Sequence, residues 1–354
     1  MSRRQFSMQA YWDRRAEELA PALRFGSCGM DFPKWQGRAL PKLLELMGEF
    51  PEKVPLEAEV EYSATEDDFI RERVVFDTEA YMSVPCQVLI PKHFRKDRSQ
   101  PALICVHGHG SFGKDPVAGL VSTPAHRADI ELMNYDYGAQ MARRGYLTLM
   151  PDLRGFGERR DGDDALGRDT CNVNFLKGGI MGLYPLMLNI WDMKCCVDYL
   201  CTRPEVDPER IGMMGMSQGG TITAFTAAVE PRIKAADVIA YINPFAAFGV
   251  HRGNFCGSQI LPELLKWMDT DDVGGLIAPR YLLLEMGTAD TCFYFQDMWK
   301  GYLHVKKIYE AAGAEERLWT DIHPGSHAFS GRQAEAFFDR ALKKHEGRQE
   351  EIKQ

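Results

Sequence analysis

No run of about 18 apolar residues occurs anywhere in the chain, which excludes a membrane-spanning helix. Basic residues are the minority, 42 Lys and Arg against 50 Asp and Glu, for a net charge of −8. The electropositive footprint of a nucleic-acid binder is therefore missing. Nine cysteines are present but never in CxxC spacing, and their number is odd. That usage fits reduced thiols of a cytosolic protein better than a disulfide framework. Internal repeats, low-complexity tracts and flexible linkers are also absent. The N-terminal Arg3-Arg4 pair resembles the start of a twin-arginine export signal, but the apolar segment such a signal requires does not follow. "QAYWDRRAEELAPALR" is amphipathic and charged instead, so the expectation is a cytoplasmic protein with an N-terminal helix.

What is there is a 354-residue chain with 45% hydrophobic residues, enough for a large core. Residues 1–54 read as a helical extension, with "ALPKLLELMGEF" its clearest amphipathic piece. Three β-like runs follow, "LEAEVEY", "FIRERVVFDT" and "VPCQVLIP", separated by turn-like breaks that suggest antiparallel edge strands. From Pro101 short apolar strands alternate with helical patterns, which predicts right-handed crossovers and a mainly parallel sheet. The predicted class is α/β: a twisted sheet with helices on both faces, spanning residues 55–345. Two insertions, at about 155–190 and 243–276, are expected to act as caps, the first mostly as loop, and residues 346–354 form a polar tail.

The stretch "GMMGMSQGG" sets Ser217 between a strand and a helix, in a G-x-S-x-G pattern formed by Gly215, Ser217 and Gly219. As a bare pattern it is weak. In a strand–turn–helix context it describes a tight elbow at the carboxyl end of a strand, where doubly wound sheets gather their reactive groups. The helix N-terminus would aim its N–H groups at developing negative charge.

A serine hydroxyl needs a base, and the base needs a group that orients it. On such a fold the chain order is Ser, acid, His. "GTAD" offers Asp290 after one apolar strand, and "GSHAF" offers His327 after the last strand. Glu285 and His323 are the rival acid and base; both sit closer to their strands than the chosen pair. The predicted triad is Ser217, Asp290 and His327. An oxyanion hole is expected from the backbone N–H groups of His109, in "VHGHG", and of Gln218. Gly108 and Gly110 would supply backbone freedom around the first donor.

His107, His109, His323 and His327 could instead gather on a metal. The triad already accounts for His327, so no metal and no cofactor are expected. Arg154, in "PDLRGFGE", could hold a substrate carboxylate, but bracing against Asp152 or Glu158 is the simpler reading. Cys256 has no assigned base and reads as a packing residue. Phe156, Tyr184, Phe245, Phe255 and Trp267, on the two insertions, would line a partly apolar substrate pocket.

These segments, "HGHG", "PDLRGFGE", "VDPERIGMMGMSQGG", "GTAD" and "GSHAF", resemble the α/β-hydrolase superfamily over roughly residues 55–345. Within it the sequence looks like the acetyl xylan esterase and dienelactone hydrolase branch. The dienelactone hydrolases proper carry cysteine at the elbow, where this chain has Ser217. The resemblance implies a serine esterase acting on short-chain acyl esters, acetyl esters first, as small-molecule substrates. It leaves residues 1–54 outside the common fold, as a cap or an oligomer contact. Peptidase, lactone hydrolase and C–C bond hydrolase are the alternatives on the same triad, and a catalytically silent binding protein is a further one. A prolyl-oligopeptidase architecture is disfavoured, because about a hundred N-terminal residues cannot build a propeller. Neither a nucleic acid nor a membrane is expected as partner; a homo-oligomer is compatible with the sequence.

Overall fold

The computed structural model describes residues 4–110, 112–162, 169–254 and 256–343. Phe255 and the 346–354 tail lie outside them. The chain opens with α1 (Met8–Glu18) and α2 (Phe32–Met47). Asp31 caps α2 by accepting from Lys34 N, and Pro33 occupies its first turn. Trp35, Ala39, Leu43 and Met47 recur every four residues and are fully buried. They join the same core as the sheet, so α2 is packed against the sheet's helical layer.

β1 (Glu59–Thr65), β2 (Phe69–Glu79) and β3 (Met82–Pro91) form the antiparallel meander expected from the turn-like breaks between them. Then come β4 (Gln100–Val106), α3 (Lys114–Val117), α4 (Pro124–Met133), α5 (Tyr137–Arg143) and β5 (Leu147–Pro151). The next stretch holds α6 (Thr170–Met181), α7 (Pro185–Thr202), β6 (Val206–Met216), α8 (Gln218–Val229) and β7 (Ile233–Ile239). The chain closes with α9 (Leu264–Trp267), α10 (Thr270–Gly275), β8 (Tyr281–Gly287), α11 (Phe295–Ala311), β9 (Leu318–His323) and α12 (Ala334–Leu342).

The nine strands make one sheet in the order β1-β2-β3-β5-β4-β6-β7-β8-β9. β3 meets β5 antiparallel, and every later pairing is parallel. Strand side chains alternate between two cores. Ala102, Ile104 and Val106 of β4 face one, while Leu103 and Cys105 face the other. Burial on both faces explains why these strands read as continuous apolar runs.

One expectation needs correction. The segment between Arg154 and Tyr184 contains the twelve-residue helix α6, capped by Asp169 and ended by Gly182 at φ 72°. Gly178 and Gly179 weaken its helical signature in the sequence. Gly178 has a reason to be there: a Cβ would stand 1.8 Å from the Leu183 carbonyl oxygen.

Candidate active site

Ser217 sits between β6 and α8 with φ 60° and ψ −117°, a conformation side chains disfavour. Its amide donates to Ile239 O of the neighbouring strand. The first intrahelical bond of α8 is Thr221 N to Ser217 O at 3.0 Å. The amides of Gln218, Gly219 and Gly220 precede it and form the unbonded, electropositive first turn. Glycine is required beside the serine: at position 219 a Cβ would lie 2.1 Å from Val106 O and 2.8 Å from His107 O. At position 215 it would meet Gly219 O at 2.5 Å.

The loop after β4 passes directly over this elbow. A Cβ on Gly108 would be 3.4 Å from Ser217 Cβ. Tyr135 anchors the loop by accepting from Gly108 N, and buried His107 holds it from beneath. His107 Nδ1 donates to Gly108 O at 2.7 Å, and Nε2 accepts from Leu153 N at 3.0 Å. Burial lowers its pKa, so the imidazole is neutral, as those two bonds require. Gly110 has open space around it and no close approach to explain it.

The loops after β8 and β9 are stitched together by Thr288 N to His323 O at 2.8 Å and Ala289 N to Gly325 O at 3.1 Å. At Gly287 a Cβ would stand 2.4 Å from Ser326 O, so the two loops touch at their roots. The result is a direct contact of Asp290 Oδ2 with His327 Nδ1 at 2.8 Å. Asp290 Oδ1 accepts from Cys292 N at 2.7 Å and from Phe293 N at 2.9 Å. The Phe293 ring stacks on the imidazole at 5.7 Å. A buried carboxylate can only accept, so Nδ1 carries the proton and Nε2 is left as the basic nitrogen. The rivals are engaged elsewhere: His323 Nδ1 accepts from Gly325 N, and Glu285 accepts from Ser330 N.

Ser217 and His327 open into one cleft of about 380 Å³, which His109, Asp169, Gly253, Asn254, Cys256, Gln259, Cys292 and Phe293 complete. The sequence-based pocket is not this one. Phe156 is buried under the rings of His107 and His109, Tyr184 packs on Phe175, and Trp267 lies beneath Lys42. Phe245 faces a separate apolar groove beside Trp12 of α1. Phe156 and Phe245 are buried, Tyr184 and Trp267 half-buried, and none of the four lines the cleft that holds Ser217. Cys256 is likewise more than packing, because it belongs to the cleft wall.

Arg154 is a brace, with partners other than those expected. Its guanidinium binds Asp192 through two nitrogens, at 2.9 and 2.7 Å, and also Glu79. Asp152 and Glu158 are taken by Lys114. The four histidines weighed as a metal set are dispersed: His107 is fully buried against Leu153, while His327 pairs with Asp290.

Residues 3–326 match the Abhydrolase family. The chain belongs to that family. The "Putative hydrolase YtaP" of Bacillus subtilis is 26% identical over 283 residues, covering 78% of this chain and 88% of that protein. Among solved structures, a "putative acetyl xylan esterase" of Bacteroides fragilis superposes with TM-score 0.73 at 17% identity. It covers 90% of this chain and 83% of its own. A glucuronoyl esterase from Solibacter usitatus gives TM-score 0.64 at 14% identity, over 92% and 98% of the two chains. The fold is the α/β-hydrolase fold, in the neighbourhood the sequence motifs pointed to. Among the described residues no helix is long and apolar enough to cross a membrane.

Proposed function

We propose that this protein is a serine esterase that cleaves short-chain acyl esters, acetyl esters first among them, through a Ser217–His327–Asp290 triad. The observation that carries the reading is the 2.8 Å contact of Asp290 with His327 in the cleft that also holds the strained Ser217 elbow. His327 Nε2 takes the proton of Ser217 as the hydroxyl attacks the ester carbonyl. Asp290 fixes the tautomer and stabilises the imidazolium. The N–H groups of Gln218 and His109 receive the oxyanion. His327 then protonates the leaving alcohol, and a water repeats the sequence on the acyl-enzyme. Every proton is handled by groups already present, and no cofactor is called for.

The cleft is near the small end for a ligand site, and its mixed wall sets the polar side chains of Asp169, Asn254, Gln259 and His109 beside an apolar portion. That favours a short acyl group on a hydroxylated alcohol, such as a sugar, over a long acyl chain. The neighbouring fold named for acetyl xylan is in line with this choice.

The test is hydrolysis of p-nitrophenyl esters from acetate to octanoate by wild type, Ser217→Ala and His327→Ala. The expected result is a maximum at acetate or butyrate, lost in both variants. Inert wild type that still reacts with a phosphonate at Ser217 would keep the nucleophile and overturn the substrate class, favouring peptides, lactones or C–C substrates. Failure of the phosphonate to label would leave a binding protein on this fold.

A further inference from the structure

Three groups of His, Cys and acidic side chains bring their ligand atoms within 4.8 Å of one another among the described residues. One, Asp290, Cys292 and His327, is the site already described. A second, Asp271, Asp272 and His304, is filled by the Arg24 guanidinium, which binds both carboxylates. The third is His109, Cys171 and Cys256, and no cationic side chain is bonded into it by any contact described.

We propose that His109, Cys171 and Cys256 form a binding site for a zinc-type cation in the wall of the active-site cleft. The donors come from three separate segments: the loop after β4, the first turn of α6, and the insertion after β7. A tetrahedral zinc ion with bonds of about 2.0–2.3 Å needs sulfur and nitrogen donors about 3.5–3.8 Å apart. Cys171 Sγ and His109 Nε2 stand at 3.4 Å, so that edge is already formed. Two sulfurs and one imidazole select zinc over magnesium or calcium, which take oxygen.

The surroundings hold the donors in place. Gly257 N donates to Asn172 Oδ1 at 2.8 Å, tying the residues next to the two cysteines to each other. A Cβ on Gly257 would fall 2.2 Å from Phe175 Cβ, so the two segments touch there. Ser258 Oγ lies 2.6 Å from Cys256 Sγ, an outer-shell hydrogen bond of the kind that orients a thiolate ligand. On binding, Cys171 and Cys256 each lose a proton to solvent, and His109 coordinates as the neutral ring through Nε2. Three protein ligands leave one coordination position open. His109 and Cys256 line the cleft with Ser217, so that position opens toward the substrate. Occupancy therefore obstructs the cleft, and zinc is a reversible inhibitor.

The full chain, kept reduced with a phosphine and freed of metal, is titrated with Co²⁺ and then Zn²⁺. The expected result is one Co²⁺ per chain, with thiolate-to-cobalt charge-transfer bands in the near ultraviolet and intense tetrahedral bands in the visible. An equivalent of Zn²⁺ should bleach both. Cys171→Ser, with its fold checked by circular dichroism and melting temperature, should lose the charge-transfer intensity of one thiolate and bind Zn²⁺ at least about tenfold more weakly. Cys292→Ser should bind as wild type does. Zn²⁺ should inhibit ester hydrolysis reversibly, and Cys171→Ser should need at least about tenfold more of it. The wild-type spectrum needs no variant, and it is independent of whether the chain is an esterase. Weak octahedral cobalt bands alone would overturn the site. So would binding unchanged in Cys171→Ser but lost in Cys292→Ser, which would move the cation to the Asp290–His327 pair. Stoichiometric binding with undiminished hydrolysis would overturn the obstruction of the cleft.

Discussion

One oxygen of Asp290 stands 2.8 Å from His327 Nδ1, while the other accepts the amides of Cys292 and Phe293. The two backbone donors decide what an amide would do in the same place. In Asp290→Asn the carbonyl oxygen must face Cys292 N and Phe293 N, which turns the NH₂ group toward His327. Nδ1 then becomes an acceptor, and the ring proton moves to Nε2, where it blocks proton transfer from Ser217. The expected loss in kcat is roughly 10³–10⁴-fold, with KM little changed. Steady-state hydrolysis of p-nitrophenyl acetate checks it; a loss below tenfold would mean that Asp290 does not set the tautomer.

The elbow conformation has a separate consequence for stability. Ser217 at φ 60° carries strain of roughly 1–3 kcal/mol, which alanine retains and glycine relieves. Against this, glycine loses about 0.5–1 kcal/mol more conformational entropy on folding. Ser217→Gly should therefore be more stable than Ser217→Ala by roughly 0.5–2 kcal/mol, although both are inactive. Urea unfolding of the two variants measures the difference, and an alanine variant equal to or better than glycine would contradict the strain.

Arg154 separates bracing from substrate binding. Its partner Asp192 is fully buried; burial pushes that carboxyl up, but Arg159 and Arg154 outweigh it and hold it below the usual range. Arg154→Met leaves Arg159 as the remaining partner of Asp192. The expected loss is roughly 3 kcal/mol of stability, with KM for esters within about twofold of wild type. A large rise in KM at unchanged stability would restore the substrate-carboxylate role.

The sheet, the elbow and the loops carrying Asp290 and His327 were legible because each is a local signal: an apolar strand, then a glycine-flanked or small-residue turn bearing one polar side chain. Asp290 and His327 could be paired from chain order alone, since their strands are neighbours in the sheet. What distance in sequence separates was not legible. Arg154 finds Glu79 from the antiparallel edge and Asp192 from α7, rather than the acids written beside it. Phe156 and Phe245 are buried in packing, which composition cannot distinguish from a pocket wall. His109, Cys171 and Cys256 carry no shared spacing, and only the folding of α6 against the second insertion brings them together.

The neighbouring strands β7 and β8 carry a pair of buried carboxyl groups, Asp237 and Glu285, whose titration should be visible in stability. Burial, first, and the neighbouring charge of Asp321 raise Glu285 from 4.5 to about 8; burial, then Glu285 and Asp321, raise Asp237. Neither Asp237 oxygen nor Glu285 Oε1 has a partner other than what a shared proton supplies. Between about pH 4.5 and 8 the folded state keeps a proton that the unfolded chain has lost. The contribution is complete below pH 4.5 and disappears as pH rises through the folded value. Glu285→Gln removes that titration, keeps an acceptor for Ser330 N, and offers Asp237 an N–H donor. Unfolding free energies from urea titrations at pH 5, 6, 7, 8 and 9 should show the variant gaining on wild type across this window. The gain should reach roughly 2–4 kcal/mol by pH 8 to 9 and then level off. Parallel pH profiles for the two proteins would mean that Glu285 is ionised throughout, and that its raised pKa is not a property of the folded chain.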